Sequence, residues 1–132
     1  RGEPDLVGGF MPWLRENGHR AVLFAIEAEN LAPRLVCEPA DLIRSRLGAW
    51  EPNEGCASLA VADLDVIIVP GLAFSPRHLP RLGRGGGYYD RLLAHPECHA
   101  RRIALAHAFQ LIDELPVEPH DQRVHEILTS GS

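Results

Sequence analysis

Three stretches of the chain are apolar at nearly every position: "RAVLFAI" (Arg20 to Ile26), "LDVIIVPG" (from Leu64) and "RRIALAHA" (from Arg101). A continuous apolar run of this length reads as a strand buried on both faces, the pattern of a parallel sheet. The β-branched residues from Val66 to Val69 make the second run the strongest, and Pro70-Gly71 stops it. "PRLVCE" and "VHEILT" are shorter strand signals. Helical signals lie between them. Asp5 can cap a helix through "LVGGFMPWLREN", with Gly18 as its stop. "ADLIRSRLG" predicts a helical turn or short helix ending at Gly48, and "AWEPNEG" a loop. "GYYDRLLAHP" predicts a helix closed by Pro96, and "FQLIDEL" a short helix before Pro116. Strands alternating with helices predict a single α/β domain over 1–132 with a mainly parallel sheet.

Between the strongest strand and the helix at Tyr88 runs a long loop, "GLAFSPRHLPRLGRGGG". With Pro70, Pro76 and Pro80 in this region, it is too long for a plain connection. Loops of this length in compact domains are functional or disordered. It ends in "RLGRGGGYYDRLL", where Gly83, Gly85, Gly86 and Gly87 precede the helix. In an open parallel sheet, ligands bind beyond the carboxyl ends of the strands. Glycines before a helix start let the backbone approach an anion, and Arg81, Arg84 and Arg91 add positive charge. Together they describe a phosphate cradle. Asp90, in the first turns, then reads as a magnesium ligand, direct or through water. A glycine-rich surface turn with a solvated charged face is the plainer alternative. Of Tyr88 and Tyr89, adjacent on the helix, at most one is expected in the core.

Composition narrows the chemistry. The chain is 132 residues long, 45% hydrophobic and 23% charged, with a net charge of −5. That balance argues against non-specific nucleic-acid binding. No apolar run reaches the ~18 residues of a membrane span, so the default expectation is a cytoplasmic protein without a membrane partner. All thirteen basic residues are arginine. Without lysine there is no Schiff-base chemistry and no Walker-A lysine, so any phosphate is held by arginine and backbone N–H groups. Cys37, Cys56 and Cys98 stand far apart and form no disulfide framework. Trp13, Trp50 and His107 read as core residues, and Glu27 and Glu29 as a solvated loop end. His120-Asp121 is either a loop lock or part of a site.

At this point a resemblance becomes specific. "DVIIVPGLAF" followed by "RLGRGGGYYDRLL" resembles the signature of the 5-formyltetrahydrofolate cyclo-ligase (methenyltetrahydrofolate synthetase) family. "ALAHAFQLIDELPVEPHDQRV" is similar to the family's strand, glutamine turn and late His-Asp segment. "GEPD" and "GAWEP" resemble its opening acidic motif and its Gly-Ile-x-Glu-Pro turn. The resemblance implies a three-layer α/β/α sandwich and an ATP- and magnesium-dependent enzyme. Its reaction converts 5-formyltetrahydrofolate to 5,10-methenyltetrahydrofolate and releases ADP and phosphate.

By the same resemblance, Arg81, Gly83, Arg84, Gly85, Gly86, Gly87 and Tyr88 belong to the loop that holds ATP. Arg81 and Tyr89 are the expected catalytic residues, with Tyr89 facing the formyl group. Glu3 falls on the glutamate that binds the pterin. Asp90 is the magnesium-associated acid, and Asp121, beside His120, a second metal candidate. The sequence departs from the family pattern at Phe74-Ser75, where the family has Phe-Asp, and "SPRHLP" lacks the family's glycine. The resemblance also implies that the family's N-terminal helices and first strand stand upstream of Arg1. Two other readings compete: a non-catalytic nucleotide-binding domain of the same fold, and a sugar-phosphate isomerase-like enzyme.

Overall fold

The computed structural model describes residues 10–44, 50–71, 73–76, 79, 81–82, 87–113, 115 and 122–129, with Phe10, Arg81 and Leu82 described by backbone alone. Two compact units emerge, Asp5–Asp63 and Leu64–Ser132.

In the first unit, helix α1 (Phe10–Glu16) leads into strand β1 (Ala21–Glu27), which pairs antiparallel with β2 (Asn30–Val36). Gly18 stops α1 as its position predicts. It takes φ 80, while His19 N–H bonds to Leu14 C=O at 2.9 Å and Gly18 N–H to Arg15 C=O at 3.3 Å. That pair of bonds satisfies two end carbonyls in a Schellman motif. Pro12 lies in the first turn of the helix as described, where a missing N–H breaks no intrahelical bond. Met11, Ala21 and Val36 form the core, with Leu14, Leu23 and Leu42 packed against them.

β1 corrects an expectation. It is half-buried, not buried on both faces, and Ile26 near its end is 49% exposed. A two-stranded antiparallel ribbon has one face on the core and one outward, so its apolar run reflects strand propensity more than double burial. The "ADLIRSRLG" expectation is also corrected. One 3-10 turn (Pro39–Asp41) gives way at once to β3 (Leu42–Arg44), which pairs antiparallel with β4 (Trp50–Pro52) inside the expected loop. Trp13 and Trp50 are exposed rather than core: Trp13 stacks on His19, and the Arg44 guanidinium lies 4.2 Å over the Trp50 ring. Glu27 is more than a solvated end, for its carboxylate pairs with the Arg34 guanidinium.

The second unit carries the parallel sheet. Strand β5 (Val66–Ile68) leads into a short antiparallel ribbon, β6 (Ala73–Phe74) with β7 (Arg81–Leu82), and then helix α2 (Tyr88–Leu93). β8 (Arg101–Ala106) lies between β5 and β9 (Glu126–Thr129), parallel to both. Three of the strands expected from the sequence thus form one parallel sheet. "FQLIDEL" does not form a helix of its own. A single 3-10 turn (Ala108–Gln110) precedes a parallel bridge from Leu111 to Phe74. Val69, Phe74, Leu93, Ala104 and Val124 are among the buried residues of this unit. Cys37, Cys56 and Cys98 are free thiols. Among the described residues no helix is long and apolar enough to cross a membrane.

Candidate functional site

The long loop after β5 is anchored at several points. Phe74, fully buried, pairs with Arg81 across the β6–β7 ribbon, and its carbonyl accepts the Ile112 N–H at 2.9 Å. Ser75, at the family's Asp position, is buried and donates its hydroxyl to the Asp113 carbonyl at 2.7 Å. The departure from Asp therefore has a structural use: a neutral hydroxyl ties the loop to the segment after β8. Leu79 takes φ 59, a left-handed conformation that glycine would adopt without strain. Its carbonyl accepts the Val124 N–H at 3.0 Å, which ties this point of the loop to the late segment.

The glycine run ends at Gly87, the N-cap of α2, with φ 72 and ψ 8. Its carbonyl accepts the Arg91 N–H at 3.0 Å. The Arg91 guanidinium folds back over its own helix start. It lies 5.0 Å over the Tyr88 ring, and a Cβ on Gly87 would stand 2.8 Å from one of its nitrogens. A positive charge is therefore brought to the helix end where backbone N–H groups lack intrahelical partners. α2 has only six residues, so its dipole is short and the arginine is the stronger attraction for an anion. Tyr88 and Tyr89 are both half-buried, and neither is a core residue.

Asp90, half-buried on α2, accepts the Gln122 backbone N–H through Oδ1 at 3.1 Å. Gln122 follows Asp121 in the chain, so this bond fastens the late segment to the helix. Arg102, on β8, completes the connection. Its guanidinium donates to the Leu93 carbonyl at 2.8 Å, to Gln122 Oε1 at 3.1 Å and to the Arg123 carbonyl at 3.1 Å. His125 pairs with the Arg102 backbone in both directions: its N–H donates to the Arg102 carbonyl at 2.8 Å, and its Nδ1 accepts the Arg102 N–H at 2.9 Å. Partial desolvation, then the charges of Arg102 and Arg101, lower the His125 pKa from 6.5.

At the carboxyl ends of β5 and β8, Gln110 is buried and spans the two. Its amide nitrogen donates to the Gly71 carbonyl at 3.0 Å, and its Oε1 accepts the His107 N–H at 2.8 Å. His107 itself is half-buried and stacks on Phe109, where the sequence suggested a core position.

Of the expected site residues, the structure brings Gly87, Tyr88, Tyr89 and Asp90 together on one helix start, with the Arg81 backbone in β7. Glu3, Gly83, Arg84, Gly85, Gly86, His120 and Asp121 lie outside the described residues. Among the described residues no three His, Cys, Asp or Glu side chains gather as a metal cage. Magnesium does not require one. It keeps several waters and takes one or two carboxylates plus substrate phosphates, so a single hard oxygen donor such as Asp90 fits it. Arg102, Gln110 and Ser75 were not foreseen as site-building residues. The available signals were an arginine inside an apolar strand and polar residues beside buried apolar runs.

A family sequence model, described as the 5-formyltetrahydrofolate cyclo-ligase family, matches residues 9–130. The chain belongs to this family. Within the cyclo-ligase family, it is 40% identical over 92 residues to the 5-formyltetrahydrofolate cyclo-ligase of Mycolicibacterium smegmatis, covering 69% of this chain and 47% of that one. It is 39% identical over 102 residues to the Mus musculus cyclo-ligase, covering 72% and 50%. An NMR structure of 5,10-methenyltetrahydrofolate synthetase from Aquifex aeolicus superposes with a TM-score of 0.80 at 34% identity, over 97% of this chain and 63% of that one. The mixed α/β fold with its parallel sheet is therefore the fold of a solved cyclo-ligase relative. The chain spans about half the length of these two curated relatives.

Proposed function

We propose that the protein catalyses the ATP- and magnesium-dependent conversion of 5-formyltetrahydrofolate to 5,10-methenyltetrahydrofolate, releasing ADP and phosphate. The match to the cyclo-ligase family over residues 9–130 carries this reading. The relatives' names supply the folate, and the helix start at Gly87 supplies a place suited to phosphate. The finer architecture that goes with the reading is a three-layer α/β/α sandwich.

The chemistry suits the residue types. The formyl oxygen on N5 is amide-like and leaves poorly. Transfer of the γ-phosphoryl group of ATP to that oxygen turns it into a phosphate leaving group. N10 attacks the formyl carbon and gives up its proton, and the C–O bond breaks as phosphate departs, which closes the ring. No protein nucleophile is needed, only alignment and charge neutralisation. In this scheme Arg81, Gly83, Arg84, Gly85, Gly86, Gly87 and Tyr88 hold ATP, and Arg81 neutralises charge on the transferring group. Glu3 binds the pterin, and Tyr89 directs its hydroxyl at the formyl group. Asp90, with Asp121 as a second donor, would hold magnesium, whose charge offsets that of the phosphates.

The test is to mix protein, ATP, magnesium and 5-formyltetrahydrofolate and follow the methenyl chromophore. Growth of the chromophore only when ATP and magnesium are both present supports the reading. Nucleotide binding without ring closure would leave a non-catalytic domain of this fold instead.

A further inference from the structure

We propose that Arg102, acting through Gln122, is a positioning residue for Asp90 and for the chain that follows Asp121. The link to magnesium rests on the proposed reaction; the link to Asp90 rests on geometry alone.

Three hydrogen bonds start and end on the same short helix. Leu93, at the carboxyl end of α2, accepts from one terminal guanidinium nitrogen of Arg102 at 2.8 Å. The other terminal nitrogen donates to Gln122 Oε1 at 3.1 Å. The Gln122 backbone N–H then donates to Asp90 Oδ1 at 3.1 Å. Asp90 and Leu93 are three residues apart on α2 and share a helical face, so the ring closes on itself. The same Arg102 nitrogen also donates to the Arg123 carbonyl at 3.1 Å, which fixes the backbone on the far side of Gln122. A planar guanidinium can serve several diverging acceptors at once, and a positive charge at a helix carboxyl end is favourable.

The consequence is directional. Leu93 fixes the guanidinium relative to α2, and the guanidinium fixes both the side chain and the flanking backbone of Gln122. The Gln122 N–H is thereby aimed at Asp90 Oδ1, so one carboxylate oxygen has a set partner and the orientation of the second is set with it. The segment after Asp121 is held by the same bonds. Further along it, Val124 N–H reaches the Leu79 carbonyl in the loop between β6 and β7. Arg102 thus connects the helix that bears the expected magnesium acid with the segment that follows the second expected acid.

The test uses Arg102→Met, Gln122→Met and the double variant in the whole chain, with two readouts. Amide hydrogen exchange reports the Gln122 N–H in the apo protein. A magnesium titration of cyclisation reports the metal requirement, read apart from KM for the folate. The expected result is faster exchange at Gln122 and a higher half-saturating magnesium concentration in both single variants. Each change should be roughly three- to tenfold, the size of one net hydrogen bond. The double variant should be no worse than Arg102→Met alone, because both changes break the same link. A Gln122→Met protein with wild-type exchange and wild-type magnesium dependence would overturn the proposal, and Arg102 would then be a structural tie to Leu93 and Arg123. If Arg102→Met does not fold, Gln122→Met decides alone on the same criteria. If the wild type does not cyclise, the proposed reaction fails separately and exchange at Gln122 decides this inference: faster exchange supports it, unchanged exchange overturns it.

Discussion

A Cβ placed on Gly87 would stand 2.8 Å from a guanidinium nitrogen of Arg91, at a residue whose φ is 72. Conformation and crowding therefore act at the same position. Gly87→Ala should lower stability by about 1–2 kcal/mol, the cost of a non-glycine residue in the left-handed region. The Arg91 contact adds little, because the end of a flexible side chain can move aside. Adding Arg91→Ala should therefore not restore stability. Urea unfolding of the two proteins checks this, and full recovery in the double variant would assign the effect to crowding instead.

Asp90→Asn separates charge from hydrogen bonding. The asparagine carbonyl oxygen can still accept the Gln122 N–H, so the melting temperature should change little. A neutral amide is a poorer ligand than a carboxylate for a hard cation, so the magnesium requirement should rise. An unchanged magnesium titration would remove Asp90 from the metal site.

Leu79 holds a left-handed φ of 59 without being glycine. Leu79→Gly relieves about 1–2 kcal/mol of backbone strain. Against this stand the entropy of a freer unfolded chain, about 0.5–1 kcal/mol, and the loss of a half-buried side chain. The three terms nearly cancel, so stability should change by no more than about 1 kcal/mol in either direction. A loss of more than about 1 kcal/mol would show that leucine packing outweighs the strain.

His125 has a lowered pKa, caused first by desolvation and then by the charges of Arg102 and Arg101. The folded protein therefore binds this proton less readily than the unfolded chain. The stabilisation is complete above the unfolded value of 6.5 and is lost as pH falls below it toward the folded value. The side chain is exposed, so the effect should be small. His125→Asn offers an oxygen in place of Nδ1 and cannot titrate. Its melting temperature should fall less steeply than that of the wild type as pH drops below about 6.5. Parallel curves would show that His125 does not contribute to the slope.

The parallel sheet was legible because β5, β8 and β9 carry apolar runs bounded by turn residues, and α2 because Gly87 and Pro96 bracket it. β3 and β4 were not legible. Three residues each, with Pro52 closing the second, are too few to show a period-2 pattern. β1 was found but its burial was overestimated, since an apolar run does not say how many faces are covered. At the site, Gly87 and Asp90 could be located from their neighbours in sequence. Arg102 could not, because its side-chain partners at Gln122 and Arg123 lie 20 and 21 residues away and no local pattern encodes them. Ser75 was visible only as a departure, and its use became clear once its partner Asp113 was in place.

The most direct test of the central claim is a stoichiometric cyclisation assay. Protein is mixed with 5-formyltetrahydrofolate, ATP and magnesium, and the methenyl chromophore and ADP are measured together, with Tyr89→Phe in parallel. The account predicts that methenyl product and ADP appear in equal amounts, only with ATP and magnesium present. It also predicts that Tyr89→Phe lowers turnover more than it lowers melting temperature. ADP release without methenyl product, or a chromophore that grows without ATP, would contradict it.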